Sequence, residues 1–242
     1  MRSEQRLDWR SKESYAYTAR LTRLGWAWEF LRRNPRFREE HEESLAIAEP
    51  RSQFEALRHW GLLRTDDPAK NALEARLFWD PGACPHVLPL VSGCCSTATD
   101  TLRVPRMHHV LICDGVRRLQ LSVWVMSGSE PDRILTEAVV PTRDAQCRWR
   151  ALNCFNDYLF SGALPQRHFR SDGTSDRLTR VVQVLDGALS GAPHREIAIA
   201  LYGHARIMAD WNDPGEYLRD SVRRAIRRGR LLMNGGYREF LR

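Results

Sequence analysis

The last 21 residues of the chain are unusually rich in arginine. The stretch VRRAIRRGRLLMNGGYREFLR, residues 222–242, contains seven arginines and one acid, Glu239. A guanidinium group keeps its charge at physiological pH and donates paired hydrogen bonds to phosphate oxygens and guanine edges. Such a cluster is either a solvated basic surface or a surface that binds something negative.

The charge of the whole chain is concentrated at this end. The 242 residues carry a net charge of +7, with a pI near 9.4. From Arg219 to Arg242 there are eight arginines against two acids, Asp220 and Glu239, which nearly accounts for the net charge. A basic protein favours an anionic partner, either nucleic acid or an acidic membrane surface. The clustering favours a binding surface, because solvation alone does not require charges to be concentrated.

Residues that could perform covalent or metal chemistry show no matching pattern. The six cysteines include no C-x-x-C pair, so we expect no zinc ribbon or finger. Cys84 with His86, or His108 with His109, is a weaker alternative as a pair of metal ligands. GxSxG, Walker, HExxH and dinucleotide-loop motifs are missing from the sequence. We therefore expect no enzyme activity, no metal and no cofactor.

The start of the chain and its hydropathy predict where the protein works. The opening stretch MRSEQRLDWRSKES is polar and has no apolar core of a signal peptide. No window reaches 18 apolar residues, so no membrane span is predicted. We expect a soluble, cytoplasmic protein with no membrane partner, whose cysteines stay reduced.

Three helices are predicted in the C-terminal part of the chain. Apolar residues spaced by three and four predict a helix from Ser175 to Ser190, ended by Gly191, and a second over residues 193–202, ended by Gly203. A third begins near Asp213-Pro214 and lasts to about Gly229. Its inward stripe consists of Leu218, Val222, Ala225 and Ile226. With residues placed 100° apart, Arg223, Arg224 and Arg227 lie opposite that stripe.

A hairpin is predicted after the third helix. Asn234-Gly235 is typical of two-residue hairpin turns and lies between RLLM and YREFL. Three helices followed by a hairpin is the order of a winged helix-turn-helix, whose third helix enters the major groove of DNA. We expect Arg223, Arg224 and Arg227 to face the groove. The remaining candidates, which contact phosphates or place the hairpin, are Arg219, Arg228, Arg230 and Arg238.

One feature does not fit that motif. About ten residues, GHARIMADWND, separate the second and third helices, whereas a standard turn has three or four. Either a short extra turn of helix fills the connection, or the geometry differs from the usual motif.

The N-terminal part predicts a helical domain. Helical spacing places Tyr17, Leu21, Leu24, Trp28 and Leu31 on one face. Asn34-Pro35 starts a second helix, and SQFEALRHWGLL predicts a third. The tryptophans at 26, 28 and 60 are either core anchors or, less simply, a platform on which bases stack.

The central part predicts a mixture of strands and a helix. Short strands are expected around ARLFWD and HVLPLV, and a hairpin turns at Asp114-Gly115. The stretch PTRDAQCRWRALNCFNDYLF predicts a helix with Trp149, Leu152, Phe155 and Leu159 on one face. QRHFRSDGTSDR predicts a linker. The fold class is thus α+β, mainly α, with domains at 1–65, 66–166 (a candidate assembly region) and 175–242.

Two stretches carry a family resemblance. HREIAIALYG…DW…LRDSVRRAIRRGRLLMNGGYREFL resembles the DNA-binding domain of proteobacterial regulators of the RovC kind, which activate type VI secretion genes, and of transfer activators on integrative conjugative elements. DWRSKESYAYTARLTRLGWAWEFLRRNPRF resembles the regulator-like domain found ahead of it. Family signature positions fall on Trp28, Glu29, Phe30, Arg32, Arg33, Asn34, Arg195, Glu196, Ile197, Ala198, Asp210, Trp211, Arg219, Arg223, Arg224, Gly229, Gly236, Tyr237 and Arg238.

The resemblance implies a sequence-specific DNA-binding transcriptional regulator, an activator, that binds promoter DNA as a homo-oligomer. It would associate with the bacterial nucleoid when bound. An alternative stays open: a protein-interaction adaptor that docks on RNA polymerase or another regulator, without specific DNA readout.

Overall fold

We describe the fold from a computed structural model of the chain. The structure describes residues 8–47, 50–91, 100–104, 107–124, 145–169, 173–211 and 217–242. Its elements in chain order are a 3-10 helix Glu13–Arg20, α1 Arg23–Leu31, α2 Pro35–Leu45, α3 Pro50–Arg58, β1 Leu62–Arg64, β2 Phe78–Trp79, β3 Leu88–Val91, β4 Asp100–Val104, β5 Met107–Asp114, β6 Arg117–Trp124, α4 Ala145–Ser161, a 3-10 helix Gln166–His168, α5 Ser175–Leu189, α6 His194–Tyr202, α7 His204–Asp210, α8 Tyr217–Met233 and a 3-10 helix Gly236–Leu241. The predicted class, α+β and mainly α, is confirmed.

The chain forms two compact units, and each is discontinuous in sequence. The first consists of Met1–Asn34, Asn71–Leu73 and Ser171–Tyr237, and the second of Pro35–Lys70, Glu74–Arg170 and Arg238–Arg242. The contiguous domains 1–65, 66–166 and 175–242 stay predictions. The predicted linker coincides partly with the 3-10 helix at Gln166–His168, and residues 170–172 lie outside the described part of the chain.

The first unit is built around α5. This helix packs against α8, α6 and the N-terminal 3-10 helix. The predicted first and second C-terminal helices are confirmed as α5 and α6, and Gly191 and Gly203 follow them with φ angles of +79° and +86°. Only glycine adopts such angles without strain, which is why each helix ends there.

The single helical face predicted for the N-terminus is interrupted. The 3-10 helix ends at Arg20, Leu21 is extended, and Thr22 then caps α1 by accepting a hydrogen bond from the Gly25 backbone N–H at 3.4 Å. A β-branched capping residue in the extended conformation competes with helix continuation, and the periodicity alone did not reveal this. Trp26 and Trp28 are fully buried in α1, so the base-stacking platform is excluded for them.

Gly229 holds the close contact between α8 and α5. A Cβ atom at this glycine would lie 3.0 Å from Leu185 Cβ and 3.4 Å from the Val181 carbonyl oxygen. The prediction that the helix closes near Gly229 is therefore wrong. The glycine lies inside α8, where its missing side chain lets the two helix backbones approach.

The predicted hairpin wing is also wrong. Helix α8 continues to Met233, and Gly236–Leu241 form a 3-10 helix instead of a strand. Leu232 and Met233 are buried and extend the inward stripe of α8. In the 3-10 helix, Tyr237 is buried together with Phe240 and Leu241, which follow it by three and four positions. Gly235, with φ +118°, ends the helix, a position that glycine favours as strongly as it favours hairpin turns.

The second unit contains a four-stranded sheet in the order β3-β6-β5-β4. The β5–β6 hairpin is confirmed, but Asp114 pairs with Arg117, so the turn residues are Gly115 and Val116. Strand β3 pairs with β6 in parallel and β4 pairs with β5 antiparallel. Residues on both faces of β6 are buried. The Gln120 side-chain amide accepts a hydrogen bond from the Trp79 backbone N–H and donates one to the Trp79 carbonyl, each at 2.8 Å.

Helix α4 covers one face of this sheet. The predicted helix is confirmed, and Phe155 packs with Leu121 and Val123 in the core. The predicted inward face is rotated, because Trp149 and Leu159 are each 54% exposed while Ala151, Cys154 and Tyr158 are buried. Trp60 of this unit is also buried, and its indole N–H donates to Glu40 at 2.7 Å, so it anchors the core and offers no stacking surface.

Candidate nucleic-acid interface

Helix α8 separates an apolar face from a basic face. The predicted inward residues Leu218, Val222 and Ile226 are buried, and Ala225 is half-buried. Counting 100° per residue, the side of the helix opposite this stripe carries Arg223, Arg224 and Arg227, all of them exposed. The apolar stripe fixes the helix on α5, and so it fixes the direction in which the arginines point.

The six predicted arginines of α8 differ in exposure. Arg223, Arg224, Arg227 and Arg230 are exposed, whereas Arg219 and Arg228 are half-buried at the flanks. The Arg219 guanidinium lies 5.6 Å from the centre of the Trp211 ring, a cation–π distance. Arg223 forms an ion pair with Asp220 at 3.3 Å, one turn earlier. The face is therefore acidic at one point near its start and basic over about two turns, from Arg223 to Arg230.

Arg238 belongs to a different setting. It lies on the C-terminal 3-10 helix, in the second compact unit, and its guanidinium donates to the His59 carbonyl oxygen at 2.5 Å. We expected Arg238 to place a hairpin wing, but the residues around it form a 3-10 helix. Its structural contact holds the end of the chain against the residue that follows α3.

The long connection between the second and third predicted helices is filled by α7. Gly203 alone separates α6 from α7, and the Tyr202 hydroxyl lies 2.8 Å from the Ser221 hydroxyl of α8. The first alternative, an extra short helix, is thus confirmed. The predicted start of α8 at Asp213-Pro214 falls among residues 212–216, outside the described residues.

A buried charge network supports α5, on which α8 rests. Glu29 on α1 accepts hydrogen bonds from Arg32 at 2.8 Å and from Arg33 at 2.6 Å. Arg33 also binds both carboxylate oxygens of Asp186 on α5, at 2.6 and 2.9 Å. The Tyr15 hydroxyl donates to the same Asp186 carboxylate at 2.7 Å. We call Tyr15, Glu29, Arg32, Arg33 and Asp186 the buried charge cluster.

The electrostatics of this cluster favour the charged forms. Burial alone would raise the pKa of Glu29, but Arg32 and Arg33 outweigh burial and lower the pKa to about 2. Burial would likewise lower the pKa of Arg33, and Asp186 and Glu29 raise it instead. Burial and the Asp186 charge both raise the pKa of Tyr15, which stays a neutral hydrogen-bond donor. Each ion is compensated by a partner of opposite sign.

In the sequence, Glu29, Arg32 and Arg33 stand out only as family signature positions, and the partner Asp186 is not among those positions. A signal was available, because Glu29 lies within the apolar run WAWEFL and Arg32 and Arg33 follow that run directly. Charges inside an apolar helix need partners, although the sequence does not name the partner. Asn34 has a similar role, since its amide donates to the Met233 carbonyl at 3.1 Å at the end of α8.

The described residues hold no group of three or more His, Cys, Asp or Glu side chains that could bind a metal ion. Of the helices in the described part of the chain, none combines the length and the apolar character that a membrane-spanning helix needs.

A helical unit with a basic outer face on one long helix is typical of proteins that bind nucleic acid. Family comparisons define the class more closely. Residues 139–242 match the model described as "T6SS, Transcription factor, DNA binding domain", where T6SS is the type VI secretion system, and residues 8–63 match the "Proteobacterial transcriptional regulator-like domain". The predicted resemblance is confirmed, and the chain is a transcriptional regulator with a DNA-binding domain. No curated protein matches the chain.

Both matches reach further than the stretches that suggested them. The DNA-binding match begins at residue 139, so it includes α4 as well as α5–α8. The regulator-like match continues to residue 63 and includes α2 and α3. Sequence reasoning found no motif in the central segment, because α4 shows only ordinary amphipathic spacing.

Proposed function

We propose that this chain is a sequence-specific regulator that activates transcription by binding double-stranded promoter DNA through the outer face of α8. The observation that carries the proposal is the set of exposed arginines Arg223, Arg224, Arg227 and Arg230 on a single helix inside the matched DNA-binding domain. The proposed additional phosphate contacts on this helix are Arg219 and Arg228. We propose type VI secretion genes as its targets, because the matched model is described as a T6SS transcription factor, or, by resemblance, transfer genes of mobile elements.

The arrangement suits DNA for a physical reason. The exposed arginines extend from Arg223 to Arg230, which lie seven positions or about 10 Å apart along the helix axis. This length matches a few successive phosphates of one strand, because phosphates recur every 3.4 Å or so of rise. The buried stripe fixes the helix backbone, so only the arginine side chains become ordered when they bind.

Fluorescence anisotropy at several salt concentrations tests the proposal. The full chain is titrated with a labelled promoter fragment and with random duplex of equal length. Replacing Arg224 and Arg227 by Ala should weaken binding to both duplexes and lower the slope of log K against log salt by about 2, one for each lost phosphate contact. The matched control replaces Arg177 and Arg180, two exposed arginines on α5 of the same compact unit. Equal losses in the two double variants would contradict an assignment to α8.

We also propose that the protein binds as a homo-oligomer on repeated half-sites, since symmetric pairing multiplies affinity without new contacts. Light scattering with and without the promoter fragment measures the stoichiometry. A complex with one protein chain per fragment at saturation would contradict this part of the proposal.

An adaptor that docks on RNA polymerase is the second candidate function. The observation in its favour is exposed apolar surface on α4, where Phe160 is 86% exposed and Trp149 and Leu159 are each 54% exposed. Such side chains on a surface often mark protein contacts. Retention of RNA polymerase on the immobilised chain after nuclease treatment, without any DNA binding in the anisotropy assay, would favour this function over the first.

A further inference from the structure

Helix α7 is an exposed helix with almost no role in the core. Among its residues His204, Ala205, Arg206, Met208 and Ala209 are exposed, and Met208 is 57% exposed. Ile207 is fully buried and anchors the helix. A helix of seven residues gains little stability by itself in water, so its neighbours must hold it in place. Its outer face is thus exposed among the described residues, and Met208 on it accepts a hydrogen bond from Arg195 at 2.9 Å.

The direction of α7 is set by α6. Gly203, with φ +86°, is the whole connection between the two helices. Helix α6 is itself fixed on α5, because a Cβ atom at Gly187 would come within 3.0 Å of Ile197. The bond between the hydroxyls of Tyr202 and Ser221 joins the end of α6 to α8. Two short helices thus follow one another, the first packed on the core and the second exposed, with one glycine in place of the three- or four-residue turn of a standard helix-turn-helix.

The side chains of α7 differ in kind from those of α8. Ala205 and Ala209 are small, so a base edge can approach the helix backbone, and their methyl groups suit contact with the thymine methyl. The Arg206 guanidinium lies 5.6 Å from the centre of the Tyr202 ring. A guanidinium supported by a ring keeps its planar fork oriented, which is what a bidentate contact with guanine needs. The face of α8, by contrast, is dominated by arginines, and such a face suits a row of phosphates.

We propose that α7 is the helix that reads base edges in the major groove, with Arg206 as the specificity-determining residue, and that the α8 arginines hold the phosphates. The inference rests on the proposed function, since it assigns roles within the same DNA complex. It replaces the sequence-based expectation that Arg223, Arg224 and Arg227 face the groove. In a helix-turn-helix the second helix of the pair enters the groove, and α7 holds the corresponding place after α6, joined by a shorter connection.

The test uses two substitutions that keep the charge and remove only the planar fork, Arg206→Lys and Arg224→Lys. The specific probe is the duplex that the wild-type full chain enriches from a library with a randomised core, and the reference probe is the unselected library. Both arginines are exposed, so melting curves of the two variants serve to confirm that folding is unchanged. The measured quantity is the ratio of the two affinities at several salt concentrations.

Arg206→Lys should lower this ratio by about 5- to 100-fold, the size of one lost bidentate base contact, without changing the salt slope. Arg224→Lys should weaken binding to both duplexes by the same factor, because a phosphate contact is made to either of them, so that the ratio changes by less than about twofold. A second selection with Arg206→Lys should relax the preference at one or two base pairs only. If Arg224→Lys lowers the ratio and Arg206→Lys does not, the assignment to α7 is overturned while the proposed function stands. If wild type enriches no duplex, both are overturned.

Discussion

Two groups of arginines in the same compact unit have opposite surroundings. Arg32 and Arg33 have 5% and 4% of their side chains exposed, and both bind the carboxylate of Glu29. The arginines on the outer face of α8 are exposed, and the one described acid on that face is Asp220. LRRN contains one pair of adjacent arginines and VRRAIRR contains two such pairs, so the local sequence does not separate the two groups. The difference teaches that the partner, and not the abundance of arginine, decides whether the residue stabilises the fold or binds another molecule.

The largest expected effect follows from breaking the buried charge cluster. Arg33→Ala leaves Asp186 and Glu29 without their shared partner inside the protein, and removing one member of a buried pair typically costs about 3–5 kcal/mol. We expect a drop of this size in the free energy of unfolding, measured by urea denaturation. Arg227→Ala, on the exposed face of α8, is the matched control and should change stability by less than about 0.5 kcal/mol. Similar values for the two variants would remove the distinction between the groups.

Acid should weaken the buried group selectively. The pKa of Glu29 is lowered to about 2 in the folded protein by Arg32 and Arg33, against the effect of burial, from an ordinary value of 4.5. The unfolded chain therefore binds a proton first, and the stabilisation, complete above pH 4.5, is lost as the pH falls toward 2.

The free energy of unfolding of Glu29→Gln should accordingly depend less on pH between 4.5 and 2 than that of wild type. Glu43→Gln, at an exposed position of α2, is the control and should follow wild type. Parallel curves for wild type and Glu29→Gln would show that this carboxylate is not what acid disrupts.

A smaller effect is expected where α5, which carries Asp186, meets α8. Gly229→Val places a side chain 3.0 Å or closer to Leu185 and should cost about 1–3 kcal/mol through overpacking. A substitution of glycine inside a helix would otherwise be favourable. Gly173→Ala, where a Cβ atom meets nothing within 4 Å, is the control. A stabilised Gly229→Val protein, judged by its melting temperature, would contradict the close approach of the two helices.

The smallest effect concerns the ion pair on the surface. Arg223→Ala removes a contact with Asp220 in which both side chains are 50% exposed. Exposed pairs contribute at most about 1 kcal/mol, and screening by salt reduces this further. We expect the melting temperature to change by no more than a degree or two at 0.15 M salt. A larger shift would place Arg223 with the structural group.

Local signals predicted much of the fold. The spacing of Leu178, Val181 and Leu185 predicts α5, and Gly203 marks the end of α6 because its φ angle is positive. The β5–β6 hairpin also follows from a local turn. The parallel pairing of β3 with β6 could not be predicted, because it joins residues about 33 positions apart in sequence and depends on neither segment alone.

The site was predicted less well than the helices that carry it. The inward stripe of α8 follows from Val222 and Ile226, so its exposed arginines follow too. Asn234-Gly235 fits a hairpin turn and a helix end equally, so this dipeptide alone does not distinguish the two. The helical spacing of Tyr237, Phe240 and Leu241 favours a helix end followed by a further helical turn. The pairing of Arg33 with Asp186 spans 153 residues and lies beyond any local pattern.

The hydrogen bond from Asn34 to the end of α8, together with the Arg33–Asp186 pair, has a consequence for protein engineering. A fragment cut at the sequence boundary of the DNA-binding match, residue 139, would lack Tyr15 and Arg33, which bind Asp186, and Asn34, which donates to the Met233 carbonyl. Chimeras that exchange this domain between regulators should therefore carry residues 8–34 along with it. The domain that sequence comparison recognises therefore differs from the set of residues that must be exchanged together in this protein.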